Sequence, residues 1–244
     1  MKFFRRVRHT LILDDKKIKY LKYALGEIIL VVIGILIALQ INNWNESRKD
    51  NQKKKEYVKM LINDLNKDII NINKCIVSDS LKNIGLKKIL IAFNTNKTFE
   101  TTPKELYTIT SETASLITHD ATYKAMTSDN VMELFDNFNI KATISSYYSR
   151  VEYIKRFEKW YSDISLGPLM EKMYEFGVGN NLANTTINSE DKYQMSFEAL
   201  ANHKNELKGY FTEAQIMTKS DLLYYREVLL QLENLKEDLS KEID

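Results

Sequence analysis

The chain has 244 residues, with 35 lysines and arginines against 33 aspartates and glutamates, and a formal net charge of +2 at pH 7. A charge so nearly balanced gives no indication of a nucleic-acid partner, which would need a clear basic excess. Only seven glycines and two prolines occur, too few for a loop-rich or all-β protein. Cys75 is the single cysteine, which excludes an intrachain disulfide and a cysteine-based metal site.

The first predicted element is a membrane-spanning helix over residues 20–44. Between Ala24 and Ile41 the only strongly polar residues are Glu27 and Gln40, and a helix of that length rises about 27 Å, close to the hydrocarbon thickness of a bilayer. A cleavable signal peptide has a shorter apolar run and a small-x-small cleavage site, and a soluble core helix has a polar stripe. The pattern therefore favours a retained signal-anchor.

The residues that define this predicted span are Tyr20, Tyr23, Gly26, Glu27, Gly34 and Trp44. The three aromatic residues flank the apolar run, as belts at the two headgroup layers require, and the two glycines permit a close helix approach. Glu27 lies about 4.5 Å past the start of the run at helical rise. It is either a functional intramembrane acid or a carboxylate that reaches the headgroups beside Lys22 or Lys19.

Basic residues lie on both sides of the predicted span. Residues 1–19 form a basic N-terminal arm, and further lysines follow residue 48. Lys22 abuts the apolar run, whereas the far side begins with uncharged asparagines. Under the positive-inside rule we expect a cytoplasmic N-terminus and an extracytoplasmic domain over residues 45–244.

Helical periodicity accounts for most of residues 45–244. Apolar residues recur at steps of three and four, which forms one face of an amphipathic helix. These stripes are Tyr57, Leu61, Leu65, Ile69, Ile72 and Ile76; Ile140, Ile144, Tyr147, Val151, Ile154, Phe157, Tyr161 and Ile164; and Val228, Leu232, Leu235, Leu239 and Ile243. Strict alternation over six or more residues is not evident. The expected class is all-α, with a single N-terminal transmembrane helix continuing into a helical bundle.

Short motifs predict where some of these helices begin and end. Thr102–Glu105 and Thr212–Gln215 have the pattern of capping boxes, which predicts a helix start at each. Gly167-Pro168 predicts the end of the second stripe. Phe176–Ser189 is rich in turn formers and is predicted to be a loop.

Two stretches of the sequence resemble a known family. "KYALGEIILVVIGILIALQINNWNE" resembles the N-terminal signature of an uncharacterised Bacteroidota membrane-protein family, domain-of-unknown-function family 6090. "ATYKAMTSDNVMELFDNFNIKATISSYYS", residues 121–149, is similar to a second pattern of that family, which often has Ser-Gly-Asn where this chain has Ser128-Asp129-Asn130. The resemblance implies a mostly helical periplasmic domain on a bacterial inner-membrane anchor. It implies no activity and no catalytic residues.

Paired aromatic residues mark a candidate ligand or partner pocket. They are Tyr147, Tyr148, Trp160, Tyr161, Tyr224 and Tyr225. One member of each pair falls on the apolar face, and its neighbour lies about 100° round the helix. An aromatic-lined pocket between helices explains these residues, and so does core packing with each hydroxyl at a wet edge.

No catalytic, cofactor-binding or metal-ligating residue is assigned from the sequence. His9, His119 and His203 lack a ligand spacing such as His-x-x-x-His. Asp64 and Asp68 are four residues apart, which fits a solvated helix face better than a cation site. No glycine-rich phosphate loop, Gly-x-Ser-x-Gly elbow or Cys/His dyad is present.

Three hypotheses for function follow. The leading one is a non-enzymatic, single-pass protein that presents a helical domain to a protein or small ligand, as a sensor, tether or envelope scaffold, with the lipid bilayer as its other partner. The alternative is a membrane-anchored enzyme with an acid/base site in a bundle pocket, which predicts a cleft of carboxylates with perturbed pKa values. The third is a homo-oligomer formed through residues 228–243, which predicts an exposed apolar stripe there.

Overall fold

The computed structural model describes residues 17–95, 114–178 and 197–243, with side chains from residue 21 and, in the last range, from residue 199. The helices are α1 (Lys17–Thr95), α2 (Ala121–Ser128), a 3₁₀ helix (Val131–Leu134), α3 (Phe138–Tyr161), a π-helix (Ser162–Leu166), α4 (Gly167–Glu175), α5 (Phe197–Asn202) and α6 (Lys204–Lys241). No strand occurs in these three ranges. The predicted all-α class is confirmed.

The chain divides into two compact units, Met1–Lys54 and Lys55–Asp244. Within the first unit, α1 contains an 18-residue window with a mean hydropathy of 2.6, none of it buried against the rest of the chain. It is, among the described helices, the one long and apolar enough to cross a membrane. The asparagine-rich stretch after it stays helical, and Asn42 Nδ2 donates to Glu46 Oε1 at 3.1 Å.

Most of the described residues that define the predicted span make no close contact with the rest of the chain. Tyr23 is 62% and Trp44 67% exposed, and a Cβ added at Gly26 or Gly34 would meet no atom within 4 Å. Glu27 is half-buried. Tyr20 lies in the helix, but its side chain is outside the described ones, as are all of residues 1–16 of the basic arm, His9 among them.

The second unit is built on three long helices whose inward residues alternate at steps of three and four. Along α1 they are Val58, Leu61, Leu65, Asp68, Ile72, Cys75, Asp79, Lys82, Leu86, Ile89 and Phe93. Along α3 and the π-helix they are Ile140, Ile144, Tyr147, Val151, Ile154, Glu158, Tyr161 and Ser165. Along α6 they are Leu207, Phe211, Ala214, Thr218, Asp221, Tyr225, Val228, Leu232, Leu235 and Leu239. This is the heptad spacing of helices that pack side by side.

The apolar part of this interior falls into two clusters. One contains α1 residues from Val58 to Cys75 with the first part of α3 and the second half of α6. The other contains α1 residues from Leu86 to Phe93 with α4 and the first part of α6. Between them along each long helix lies a polar layer, formed by Asp79, Lys82, Glu158, Tyr161, Thr218 and Asp221. Each fully buried Leu or Ile stabilises the fold by roughly 1.5–3 kcal/mol, so the polar layer interrupts the main source of stability.

The π-helix corrects two expectations for the second stripe. Its wider turn advances the inward positions, so Ser165 and Leu166 are buried while Ile164 is 41% exposed instead of continuing the stripe. The helical structure also does not end at Gly167-Pro168, because α4 follows the π-helix directly. Pro168 lacks an amide hydrogen and sits in the first turn of α4, where no donor is needed, and a π-bulge is one way a helix accommodates a proline.

The predicted helix start at Thr212 is wrong. α6 begins at Lys204, and Thr212 lies inside it with its hydroxyl donating to Lys208 O at 2.8 Å. A threonine hydroxyl bonds equally well backwards to the carbonyl four residues earlier, and then it does not mark a helix start. The capping motif at Thr102–Glu105 lies outside the described residues, as does the predicted loop beyond Val178.

An irregular segment, residues 114–120, is fastened to the long helices by hydrogen bonds to its backbone. Leu116 N donates to both Glu158 oxygens at 3.1 and 3.2 Å, Ile117 N to Asn71 Oδ1 at 2.7 Å and His119 N to Asp68 Oδ1 at 2.9 Å. These bonds satisfy amides that form no helical bond. They hold Ala114 and Ser115 in place beside the polar layer.

Candidate functional site

The polar layer encloses a cavity of about 260 Å³. Its lining residues are Asp79, Lys82, Ala114, Ser115, Lys155, Glu158, Lys159, Tyr161, Ser162, Asp163, Asp221 and Tyr225. The long helices supply most of these groups because their heptad spacing turns the same face inward at every turn. Segment 114–120 adds Ala114 and Ser115, and Ser115 is solvent-exposed. The cavity is therefore both polar inside and reachable from one side.

Two aspartates in the cavity are almost completely buried. Asp221 is 3% and Asp79 4% exposed. Burial raises the pKa of Asp221 to about 8, with the charges of Asp79 and Glu158 adding to the rise and Lys82 opposing it. Burial likewise raises the pKa of Asp79 to about 6, against the opposing effect of Lys82. Desolvation disfavours a charged carboxylate, which is why both groups titrate near neutral pH.

The third acid of the layer, Glu158, is half-buried and already has partners. Glu158 Oε1 accepts from the Tyr225 hydroxyl at 2.6 Å, and both its oxygens accept from Leu116 N. Burial raises the pKa of Glu158, and these hydrogen bonds counteract the rise. Burial together with the Glu158 charge raises the pKa of Tyr225, so this hydroxyl keeps its proton. Glu158 thus ties the segment, α3 and α6 together at the cavity wall.

Lys82 is the buried cation of the layer, 1% exposed. Its Nζ lies 5.5 Å from the centre of the Tyr161 ring, a cation–π distance. Burial lowers the pKa of Lys82, and the charges of Asp79 and Asp221 counteract that. The Tyr161 hydroxyl donates to Ala214 O at 3.2 Å, which fixes the ring beneath the ammonium group.

Two buried polar atoms of this region have no hydrogen-bond partner among the described residues: Asp221 Oδ1 and Ser165 Oγ. A buried polar atom without a partner costs about 1–3 kcal/mol. Ser165 belongs to the π-helix, a structure often found at functional sites. Asp221 lines the cavity directly, so its carboxyl group, with one unpartnered oxygen, forms part of the cavity wall.

Comparison with known proteins places residues 27–166 in the Family of unknown function (DUF6090). The matched segment is more than half of the chain. The chain belongs to this family. No curated protein and no solved structure matches it. The matched segment includes Asp79, Lys82 and Glu158, whereas Asp221 and Tyr225 lie beyond it, so the cavity combines residues inside and outside the matched segment.

The six aromatic residues predicted to form a pocket fall in different places in this DUF6090 protein. Tyr161 and Tyr225 line the cavity described above. Tyr148 lines another cavity, of about 490 Å³, where it stacks on Tyr123 with ring centres 4.3 Å apart. Tyr147 is fully buried, and Trp160 is 47% exposed.

Tyr224 belongs instead to a half-buried cluster with Arg150 and Phe157. Its ring lies 5.0 Å from the Arg150 guanidinium and 5.3 Å from the ring of Phe157. The structure therefore brings two of the six predicted residues, Tyr161 and Tyr225, to one cavity. Their role in binding stays a prediction.

The solvated face predicted for Asp64 and Asp68 is wrong. Asp68 is fully buried and accepts from the Tyr147 hydroxyl at 2.8 Å, from His119 N and from the His119 ring at 2.7 Å. Asp64 accepts from the Thr122 hydroxyl at 2.5 Å. Both aspartates face the segment that packs on α1, which sequence spacing does not reveal. Through these hydrogen bonds Asp68 holds segment 114–120 against α1, and Asp64 holds α2 against it.

No group of three His, Cys, Asp or Glu side chains in the described ranges has the arrangement to hold a metal ion. His203 stacks on Phe176 with ring centres 4.0 Å apart. The stripe proposed for self-association is not exposed: Val228, Leu232, Leu235 and Leu239 are fully buried in the chain's own core. That hypothesis loses the surface on which it depended.

Asp79, Lys82, Glu158 and Asp221 are the functional candidates that sequence reasoning missed. Each occupies an inward heptad position on its helix. Counting only apolar residues treats such positions as gaps in a stripe. Extending the three-and-four count through the polar residues continues each stripe to these four positions, but it does not show which groups they meet in space.

Proposed function

We propose that this protein is a single-pass membrane-anchored receptor domain that binds a small ligand in the polar cavity of its helical bundle. The apolar window of α1 is long enough to span a bilayer. The cavity lies between the helices of a bundle, where ligand sites are common, and its volume of about 260 Å³ suits a ligand smaller than a drug-sized molecule. One observation carries the binding role: Asp221 is 3% exposed, lines the cavity and has an oxygen without a partner among the described residues.

The cavity is better explained by an occupant than by stability. Uncompensated carboxylates in a protein interior cost several kcal/mol, and well-packed apolar side chains would stabilise the same position. The chain instead places two buried aspartates, one half-buried glutamate and one buried lysine between two apolar clusters. A ligand that completes the hydrogen bonds of these groups offsets the cost in the bound state.

For location, we propose the bacterial inner membrane, with the N-terminus in the cytoplasm and the bundle in the periplasm. The charge distribution around the apolar run supports this orientation under the positive-inside rule. A reporter that is active only outside the cytoplasm, fused after Asp244, gives a signal if the orientation is right. A signal only from a reporter of cytoplasmic exposure reverses it.

The anchor is tested by alkaline carbonate extraction of membranes that contain the full chain. Wild type stays in the membrane pellet. Ile33→Lys places a charge near the centre of the apolar run, where it costs about 2.5–3.5 kcal/mol, and shifts protein to the soluble fraction. Asn45→Lys, outside the run, is the matched control and behaves like wild type. Release of wild type itself contradicts the anchor.

Ligand binding is tested by native mass spectrometry of the full chain purified from its own membranes in a mild detergent. We expect wild type to carry a small molecule in addition to its own mass. Ser115→Trp fills the exposed side of the cavity and removes that molecule, whereas Ser240→Trp, on the exposed last turn of α6, retains it. A bound mass that is identical in both variants shows that the ligand lies elsewhere.

An enzymatic role is the second candidate, and one observation favours it. Asp79 and Asp221, with pKa values of about 6 and about 8, titrate on either side of neutral pH, as a general base and a general acid require. Such shifts also arise in purely structural networks, so we rank binding first. Chemical change of the co-purified molecule by wild type, lost in Asp79→Asn with binding retained, would establish the enzyme instead.

A further inference from the structure

The polar layer contains more acids than buried cations. The buried Asp79 and Asp221 and the half-buried Glu158 face the cavity from three helices, and Lys82 is the buried cation among its described lining residues. Glu158 is satisfied by hydrogen bonds from Tyr225 and Leu116. The other two acids share the influence of a single ammonium group. The interior is therefore short of positive charge.

Lys82 does not correct this shortage by pairing directly with either aspartate. The side-chain contact that the structure gives its ammonium group is the face of the Tyr161 ring, at 5.5 Å. Asp221 Oδ1 meanwhile accepts no hydrogen bond from the described residues. A buried carboxylate is normally paired or hydrogen-bonded. The position opposite Asp221 thus calls for a hydrogen-bond donor, and a positively charged donor would also favour the ionised form of this carboxyl group.

The lysines at the edge of the cavity, Lys155 and Lys159, do not supply this donor. Lys155 is held by the Thr118 hydroxyl and lies within 3.4 Å of Glu152 Oε1. Lys159 is exposed, and the exposed Asp163 lines the same edge of the cavity. The unmet requirement is therefore inside the cavity, at Asp79 and Asp221.

We infer that the cavity binds a small organic ammonium ion, with its charged group between Asp79 and Asp221 and its carbon body against Tyr225 and Ala114. This inference rests on the proposed ligand-binding function and specifies the ligand's charge and size. A volume of about 260 Å³ is many times the roughly 10–15 Å³ that one water needs on the same measure, so the cavity has room for an amine of several non-hydrogen atoms. The tyrosine rings provide the apolar contact that an alkyl chain needs.

An organic ammonium fits this site better than a metal ion. The described residues offer no group of three metal-ligating side chains, and a divalent cation would lie beside the buried ammonium of Lys82. An ammonium group carries a single charge and up to three directed donors. Those donors match a carboxylate oxygen that has no partner.

The test is isothermal titration calorimetry on the full chain in a mild detergent, with three probes of the same shape: butylammonium, butanol and butyrate. We expect butylammonium to bind and the neutral and anionic probes not to. Asp221→Asn weakens the binding of butylammonium by about 10- to 150-fold, the range for losing a charged hydrogen bond. Asp238→Asn, an exposed aspartate on the same helix, is the matched control and binds like wild type. Far-UV circular dichroism verifies that each variant is folded.

The outcomes separate the inference from the proposed function. If butanol or butyrate binds as tightly as butylammonium, or if Asp221→Asn leaves the affinity unchanged, the ammonium assignment is overturned while the cavity remains a binding site. The ammonium assignment is likewise overturned if the protein carries a neutral or anionic molecule from its own membranes and Ser115→Trp displaces that molecule. If no probe binds and the purified protein carries no small molecule, both the ammonium assignment and the proposed ligand-binding function are overturned.

Discussion

The buried Asp221 carboxyl group should make the stability of the folded chain depend strongly on pH. Its pKa in the folded chain is about 8, against an ordinary value of 3.8. Between these values the folded chain holds a proton that the unfolded chain has released, so stability is greatest at acid pH and falls as the pH rises. Asp221→Asn removes this titration and keeps a side chain of nearly the same shape.

The expected magnitude follows from the pKa difference at about 1.4 kcal/mol per pH unit. Between about pH 5 and about pH 8, Asp221 lowers the free energy of unfolding by about 4 kcal/mol, and Asp79, with its pKa of about 6, lowers it by about 1 kcal/mol more. The raised pKa of Glu158 acts in the same direction, and the lowered pKa of Lys82 opposes it. Since small domains are stable by about 5–15 kcal/mol, a change of this size is easily measured.

The assay is urea unfolding of the full chain in a mild detergent, followed by circular dichroism across this pH range. Wild type should lose about 5 kcal/mol of stability from the acid to the alkaline end, and Asp221→Asn only about 1 kcal/mol. Asp238→Asn, on the exposed side of α6, should follow wild type. Parallel pH profiles for wild type and Asp221→Asn would refute the proposed burial of a titrating carboxylate.

Three further predictions concern the fold. Tyr147→Phe removes the hydroxyl that donates to buried Asp68 and should cost about 1–3 kcal/mol in urea unfolding; no loss would mean that water replaces the bond. Leu65→Ala, at a fully buried position, should cost about 2–5 kcal/mol, whereas Ile70→Ala, on the exposed side of α1, should change stability by less than about 0.5 kcal/mol; equal effects would contradict the assigned inward face. Thr212→Ala should leave stability unchanged or raise it slightly, because Thr212 is inside α6; a loss of about 1 kcal/mol is the signature of a helix cap.

The helical class and most inward positions were predictable from the sequence. The steps of three and four that run through Leu65, Val151 and Leu232 are a direct consequence of helical geometry and need no knowledge of the partners. The π-helix was not predictable in this way. It depends on how Pro168 and the preceding turn pack in the assembled bundle, and it moved Ile164 from the expected interior to the surface.

The cavity was not predictable because its charges come from three helices far apart in the sequence. A single aspartate such as Asp79 or Asp221 on a lysine-rich amphipathic helix is typical of a solvated face. Its burial becomes visible only when the three heptad patterns are aligned with one another. The two tyrosines at the cavity wall, Tyr161 and Tyr225, were noticed as aromatic residues, but their neighbours in space were not.

The polar layer also determines how the long helices align lengthwise. The apolar inward positions of α1, α3 and α6 are similar from one heptad to the next, so sliding α6 by seven residues would still match Leu, Ile and Val against one another. The same slide would bring Asp221 opposite an apolar cluster and leave Lys82 and Asp79 facing aliphatic side chains. Buried polar groups in heptad helices are known to select one alignment at some cost in stability. In this protein the polar layer, although it costs stability, thus also defines which turn of each long helix packs against which turn of its neighbours.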